Sequence, residues 1–216
     1  MKTNYRLPYW QALKNSKPML SPVLMEIAIA MVLSDASMMF SGTQALMKIE
    51  QGYLQHEFVK HLWSLFSGYC WGDMYNTRIN TTKNSPRHGM VKSYWFKTFS
   101  HLTFTQVYNL CYQDGAKTIL PGTVANYITG LGLAYIVMSD GSLWKGNMLV
   151  LHFQGFSKEA NEIFSQELNA KLGLHSSVAA YQGKYWIVRF PVSDGAKLRA
   201  LIEPHMLPMF SYKIPR

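Results

Sequence analysis

The feature that most constrains this chain is an internal repeat. Residues 26–37 read EIAIAMVLSDAS and residues 131–142 read LGLAYIVMSDGS. Both segments are apolar runs with small residues that end in Ser-Asp-small-Ser, and their aspartates, Asp35 and Asp140, lie 105 positions apart. A chain of 216 residues that repeats itself in this way predicts two related halves.

The segments after the two copies also correspond. Each copy is followed by two predicted strands, an amphipathic helix, two more strands and a closing helix. Residues 51–53, QGY, match residues 154–156, QGF, at an offset of 103. In the second half a helix is expected to begin after Ser157 and to stop at Gly173. A tight hairpin turn is expected at residues 182–183, QG.

These patterns predict an α+β fold in which each half reads αββαββα and the whole has pseudo-two-fold symmetry. Residues 114–125, DGAKTILPGTVA, are rich in glycine, proline and small residues and mark the boundary between the halves. We therefore expect an N-terminal extension over residues 1–19, a first half over 20–116 and a second half over 117–216.

Composition favours a nucleic-acid partner. The formal net charge is +9, and a basic excess of this kind favours a polyanion, although membrane surfaces and ribonucleoprotein assemblies remain alternatives. No apolar run approaches the roughly 20 residues of a membrane span. The histidines show no zinc-ligand spacing and no phosphate-binding loop is visible. Cys70 and Cys111 lack CxxC spacing and are expected to be buried free thiols.

The two motif segments are expected to pack against each other as helices at the centre of the molecule. Small residues near the contact allow close approach, and they are Ala28, Ala30, Gly132 and Ala134. Side-by-side helices would bring Asp35 and Asp140 within a few ångströms. Two carboxylates together at helix C-termini repel, so a divalent cation is expected between them. Mg²⁺, with Mn²⁺ as a substitute, suits oxygen ligands.

At these residues the chain resembles the LAGLIDADG homing endonucleases. The likeness is closest to the single-chain, two-motif, intron-encoded mitochondrial members and covers roughly residue 25 to the C-terminus. It implies two saddle-shaped antiparallel sheets over DNA, with the motif helices at the centre. It also implies a monomer that uses metal-bound water to break both strands of a long target, which leaves 5′-phosphate and 3′-hydroxyl ends and promotes intron mobility. An organellar location, most simply the mitochondrion, follows from the same resemblance.

The resemblance also implies roles for individual residues. Asp35 and Asp140 match the metal-binding acids, and the carbonyls of Ser34 and Ser139 are candidate ligands. Lys117 and Lys213 match two active-site lysines, and the repeat supports this because each follows the last helix of its half. Positions such as those of Glu50 and Gln154, on strands beside the acids, help to order water around the metal. A third Ser-Asp-Gly, at residues 193–195, is expected to be an ordinary helix N-cap.

Basic side chains on or beside the predicted strands are the candidates for DNA contact, since strand alternation would place many of them on one sheet face. Whether each contacts a base or a phosphate, or is a solvated edge-strand residue, stays open. The candidates are Lys48, Arg78, Lys83, Arg87, Lys92, Lys97, Lys145, His152, Lys184 and Arg189.

Two other functions remain compatible with these features. The chain could be an intron RNA maturase or another nucleic-acid-binding module that kept the fold without cleavage, because basic sheets can also dock on RNA. A sequence-specific repressor is a weaker third possibility.

Overall fold

The structure is a computed structural model that describes residue 5 and residues 7–216. Within the expected extension over residues 1–19, residues 1–4 and 6 therefore lie outside the described part of the chain. The chain forms two compact units. Unit 1 comprises residues 1–24 and 35–108, and unit 2 comprises residues 25–34 and 109–216.

The order of elements confirms the predicted αββαββα pattern in both halves. The extension contributes α1 (Pro8–Asn15). The first half contains α2 (Pro22–Leu33), β1 (Ser37–Ser41), β2 (Gln44–Gly52), α3 (His56–Phe66), β3 (Asn76–Ile79), β4 (Val91–Lys97) and α4 (Leu102–Cys111). A short connection contains β5 (Tyr112–Gln113), β6 (Ala116–Lys117) and α5 (Thr123–Tyr127). The second half contains α6 (Gly130–Asp140), β7 (Gly141–Trp144), β8 (Met148–Leu151), α7 (Lys158–Leu172), β9 (Ser177–Tyr181), β10 (Tyr185–Arg189) and α8 (Gly195–Ile202).

Unit 1 is built on an antiparallel sheet of order β1-β2-β4-β3. Along β2, Met47 and Ile49 are fully buried, whereas Lys48 and Glu50 between them are only half-buried. This alternation gives the sheet one face that packs on α3, through Phe58 and other apolar residues. The opposite face is left to polar and charged side chains, and we call it the polar face of unit 1.

The N-terminal extension packs on unit 1 through aromatic rings. Tyr5 stacks on Trp71 with ring centroids 4.9 Å apart, and Trp10 meets Trp71 edge-on at 5.8 Å. Lys14 of α1 donates to the side chains of Gln44, at 3.2 Å, and Ser100, at 3.4 Å. The extension therefore packs against one end of the unit 1 sheet and is not part of the repeat.

Unit 2 contains the matching antiparallel sheet, of order β7-β8-β10-β9, with α7 on its apolar face. Phe153 and Phe164 meet edge to face at 4.9 Å in this core. Ser157 caps α7 by accepting from the Ala160 amide, as expected. The β9–β10 turn is the predicted one, since Gln182 and Gly183 both have positive φ, at 53° and 66°.

Most of the first motif helix belongs to unit 2 rather than to unit 1, because residues 25–34 pack with the second half. The boundary near residues 116–117 followed the repeat and stays a prediction. The contact is specific. Oε1 of Glu26 accepts from the amide of Thr129 at 2.6 Å, from its hydroxyl at 2.7 Å and from the amide of Gly132 at 2.7 Å. Glu26 thus caps the positively polarised N-terminus of α6 from a neighbouring helix.

Gly132 leaves space for this contact. A Cβ added there would lie 2.8 Å from Oε1 of Glu26, closer than a side chain tolerates. The small residue predicted from close helix packing therefore makes room for a carboxylate.

Replacing Glu26 with alanine is expected to destabilise the protein by about 0.5–2 kcal/mol, because it removes the shared acceptor of three donors at the start of α6. The free energy of unfolding in urea measures this loss. Glu57→Ala is the matched control, since Glu57 is 63% exposed and its loss should change stability by less than about 0.5 kcal/mol. Equal effects of the two substitutions would contradict a capping role for Glu26.

Two smaller expectations can be compared with the structure. Cys70 and Cys111 are free thiols, and burial raises the pKa of each to about 12. Asp194 stands at the predicted N-cap position of α8, but its carboxylate accepts from the backbone and ring nitrogens of His175 instead of capping the helix. In the described residues, no helix has both the length and the apolar character to span a bilayer.

Candidate active site

The C-terminal end of α2 is held by a lysine. The helix ends at Leu33, and the hydroxyl of Ser34 donates back to the Ala30 carbonyl at 2.9 Å. The carbonyl of Ser34 accepts from Nζ of Lys117 at 2.8 Å. Lys117 lies on β6, in the small β5–β6 hairpin. Because the last carbonyls of a helix lack intrahelical donors and carry partial negative charge, an ammonium is well placed there.

The C-terminal end of α6 has the same arrangement. Nζ of Lys213 donates to the carbonyls of Val137 at 3.2 Å, Met138 at 2.6 Å and Ser139 at 3.4 Å. Lys213 is only 8% exposed. A buried ammonium needs such compensation, and the carbonyls at the helix end supply it. Both sequence-predicted lysines therefore bind a motif-helix carbonyl, and both contacts lie within unit 2.

Asp35 follows α2 and belongs to unit 1, where its Oδ2 accepts from Nε2 of Gln51 at 2.7 Å. Asp140 is the last residue of α6 and belongs to unit 2. Its backbone carbonyl accepts from the amide of His152 at 2.9 Å. The close approach of the two carboxylates stays a prediction, since each acid is described within its own unit.

Glu50 lies on β2, the strand that was expected to lie beside the acids. It points to the polar face of unit 1, where Lys48, Arg78 and Ser93 surround its carboxylate. Because successive strand residues face opposite sides, the next residue, Gln51, reaches Asp35 instead. The repeat carried this signal, because Gln51 and not Glu50 matches Gln154 at the offset of 103.

Gln154 takes part in a polar chain within unit 2. Its Nε2 lies 3.3 Å from Nδ1 of His152, and Nε2 of His152 lies 2.7 Å from the hydroxyl of Ser142. Burial lowers the pKa of His152, and the positive charge of Lys213 lowers it further. A neutral imidazole can both donate and accept in such a chain.

The donor set that the sequence predicts for a metal is chemically suited to a hard divalent cation. It consists of the carboxylates of Asp35 and Asp140 and the carbonyls of Ser34 and Ser139. Each carbonyl oxygen has two lone pairs, so accepting a lysine N–H leaves one for a metal. Among the described residues no group of three or more His, Cys, Asp or Glu side chains could hold a metal. Mg²⁺ usually keeps several water ligands and is bound through only one or two carboxylates.

On the polar face of unit 1, the structure brings together several of the candidate DNA-binding residues. Lys48 and Lys97 are cross-strand partners, and each ammonium lies 5.8 Å from the ring of Trp95. Arg78 of β3 reaches the same face and pairs with Glu50. Cations beside an aromatic ring, here the half-buried indole of Trp95, are typical of nucleic-acid-binding surfaces.

Three other candidates of the first half lie apart from this cluster. Lys83 is exposed in the β3–β4 connection. Arg87, in the same connection, stacks 3.3 Å from the ring centroid of Tyr53. Lys92 has the strand parity of Tyr94 and Phe96, so it does not share the face of Lys97 and is exposed near the strand end.

In unit 2, His152 and Arg189 share one face of the sheet by strand parity. His152 lies in a cluster of rings with Trp144 and Tyr181. Nε of Arg189 is buried with no hydrogen-bond partner among the described residues. Lys145 and Lys184 are exposed at the strand connections, with the Lys184 ammonium 5.2 Å from the Tyr185 ring.

Comparison with known proteins agrees with this geometry. Residues 25–198 match the model of the LAGLIDADG DNA endonuclease family. The chain is 47% identical over 133 residues to "Probable intron-encoded DNA endonuclease 3" of Mycosarcoma maydis, which covers 59% of this chain and 97% of that protein. It is 24% identical over 208 residues to "Cytochrome b mRNA maturase bI2" of Debaryomyces hansenii, covering 92% of this chain and 76% of that protein.

Among solved structures, the chain is similar to the homing endonuclease I-WcaI bound to its DNA recognition sequence. The TM-score is 0.86 at 27% sequence identity, and the match covers 98% of this chain and 94% of that one. Three observations point to the same family. They are the repeated motif helices followed by aspartates, the two four-stranded sheets, and the family match over most of the chain. The chain belongs to the LAGLIDADG DNA endonuclease family.

Proposed function

We propose that this protein is a homing endonuclease that makes a double-strand break at a long DNA site by Mg²⁺-dependent hydrolysis, with Asp35 and Asp140 as metal ligands. The observation that carries the proposal is the repeated lysine contact. Lys117 binds the Ser34 carbonyl and Lys213 binds the Ser139 carbonyl. Each contact places an ammonium one residue before a motif aspartate. A lysine that only stabilises the end of one helix would not need to recur at the matching position of the other half.

The residues at each helix end have separable roles. Mg²⁺, when bound, supplies a Lewis acid that lowers the pKa of water and stabilises the leaving oxygen. Asp35 and Asp140 bind it with the carbonyls of Ser34 and Ser139. Lys117 and Lys213 stabilise negative charge that develops on the scissile phosphate. Gln51 orients the Asp35 carboxylate. In the second half, Gln154 acts through His152 to order water near Asp140.

The polar sheet faces are the proposed DNA-binding surfaces. Phosphate contacts position a protein on DNA and base contacts specify the sequence. Lys48, Arg78 and Lys97 in unit 1 and His152 and Arg189 in unit 2 are the central candidates. The proposed peripheral contacts are Lys83, Arg87, Lys92, Lys145 and Lys184. We further propose that the protein acts as a monomer and is encoded in an organellar intron, most simply a mitochondrial one.

The decisive experiment is incubation of the purified protein with DNA that spans the uninterrupted insertion site of its host gene. We expect two strand breaks within that site in the presence of Mg²⁺ and intact DNA in the presence of a chelator. The same DNA interrupted by the intron is the matched control and should resist cleavage. Equal cleavage of both substrates, or none of either, would contradict the proposal.

A second candidate function is assistance in splicing of the host intron, and the similarity to a cytochrome b mRNA maturase over most of the chain favours it. The same basic faces can bind structured RNA through shape and backbone contacts. If the Asp35→Asn, Asp140→Asn double variant still supports splicing of that intron, the protein acts on RNA without its cleavage residues. If the wild-type protein does not support splicing of that intron, this function is excluded.

Replacing Lys97 with methionine is expected to weaken binding to all DNA sequences alike. One phosphate contact would be lost, so the slope of log binding constant against log salt should become shallower by about one. Fluorescence anisotropy across a salt series measures both effects. Lys171→Met is the control, because Lys171 is exposed on α7, away from the strands. A Lys97 variant with the wild-type slope would contradict phosphate contact at this position.

A further inference from the structure

The carboxylate of Glu50 is the centre of a polar cluster on the polar face of unit 1. Nζ of Lys48 and the hydroxyl of Ser93 both donate to it, the latter at 2.6 Å. Arg78 contacts both carboxylate oxygens, with Nε 2.8 Å from Oε1 and Nη2 donating to Oε2 at 3.1 Å. Burial alone would raise the pKa of Glu50, but the bonds from Lys48 and Ser93 and the charges of Lys48 and Arg78 outweigh it and lower the pKa. Glu50 is therefore ionised at neutral pH.

Strand register holds this cluster in place. Glu50 lies opposite Trp95, and Arg78 lies opposite Ser93, across the two interfaces of β4. A register shift directly after Arg78 interrupts the regular pairing, which continues at Ile79 opposite Val91. Arg78 is thus held by a central strand although it stands on the edge strand β3. Its side chain is nevertheless 52% exposed.

The geometry leaves a particular edge of the guanidinium available. The carboxylate occupies the side formed by Nε and Nη2. The end formed by Nη1 and the second N–H of Nη2 presents parallel donors away from Glu50. Guanine is read in the major groove by such a pair of donors, through O6 and N7.

Charge argues against a phosphate as the partner of Arg78. Lys48, Glu50 and Arg78 together carry one net positive charge, and the carboxylate lies directly against the guanidinium. A phosphate would be repelled by Glu50 as it is attracted by Arg78. A neutral base edge loses little, because its recognition depends on directed hydrogen bonds.

We propose that Arg78 reads a guanine in the DNA target and that Glu50 is a positioning residue which fixes the guanidinium for this contact. The inference rests on the proposed function, since it assumes that this sheet face binds DNA. It also gives Glu50 a role in sequence discrimination instead of in the water and metal shell of the acids.

The experiment compares sequence preferences. Targets are selected from randomised duplexes with the wild-type protein in the presence of a chelator, and each selected position is then substituted singly for affinity measurements. With Arg78→Lys, discrimination at one guanine position should fall by about ten- to a hundredfold, because a point charge cannot replace the bidentate fork. Glu50→Gln should reduce discrimination at the same position while affinity for random DNA rises.

The outcomes separate this inference from the proposed function. If the wild type enriches no consensus, site-specific binding fails and the inference fails with it. If a consensus emerges but neither variant relaxes one guanine position, the assignment of Arg78 and Glu50 is overturned while the proposed function stands. Lys97→Met is the contrasting variant, since it should weaken every sequence without changing the preference. A Glu50→Gln protein with raised affinity and unchanged preference would reduce Glu50 to a charge effect and overturn its positioning role.

Discussion

Replacing either Asp35 or Asp140 with asparagine is expected to abolish DNA cleavage while binding of the target persists. The amide has nearly the shape of the carboxylate, and at Asp35 its oxygen can still accept from Gln51. It lacks the negative charge that a divalent cation requires, so we expect the rate to fall by at least about a thousandfold. Single-turnover cleavage and anisotropy on one target measure the two properties separately.

Asp73→Asn is the matched control for these variants. It makes the same change of charge at an exposed loop position, and it should cleave at the wild-type rate. The assignment of the acids would be wrong if either motif variant retained substantial cleavage. Loss of binding together with cleavage would indicate instead that the substitution disturbs the end of the helix.

Replacing Lys213 with methionine is expected to damage both activity and stability. Methionine fills similar space, but it leaves the carbonyls of Val137, Met138 and Ser139 without the ammonium that they share. The Val137 carbonyl still accepts from the Gly141 amide, but losing this donor at the other carbonyls should lower the free energy of unfolding by about 1–3 kcal/mol. Loss of the positive charge beside the scissile phosphate should lower the cleavage rate by about a hundredfold or more.

Lys197→Met provides a closely matched control. Lys197 also donates to a carbonyl at a helix end, that of Gly173 at 2.7 Å, but the contact is exposed. Its substitution should change stability by less than about 0.5 kcal/mol and leave cleavage unchanged. If the Lys213 variant unfolds like wild type and also cleaves like wild type, the buried lysine has neither of the proposed roles.

The fold was predictable because each half repeats the same pattern. Apolar periodicity located the helices and strands, and local chemistry located their ends at Ser157 and at the Gln182–Gly183 turn. These signals act within a few residues of one another, so the sequence displays them directly. The family likeness in the motif segments then supplied the candidate acids and the two candidate lysines, and each lysine contacts a carbonyl at the end of a motif segment.

What the sequence did not reveal depends on register and on contacts between distant segments. Glu50 and Gln51 are adjacent, and one residue of strand register decides which of them meets Asp35. The pairing of Glu50 with Arg78 joins residues 28 positions apart, and their meeting depends on how β2 and β3 both align with β4. Glu26 capping Thr129 joins residues 103 positions apart, and no local pattern marks a helix cap supplied by another helix.

Most of α2 belongs to the first half of the sequence but packs in unit 2, and this has a consequence for recombination. The repeat suggests that the chain descends from a duplicated module that could be traded at residues 116–117. A hybrid joined there would take its first motif helix from one parent and the Thr129–Gly132 cap site from the other. If the parents differ at position 26 or 132, the two helices of the hybrid would be mismatched. A stable hybrid should therefore take residues 25–34 and the second half from the same parent.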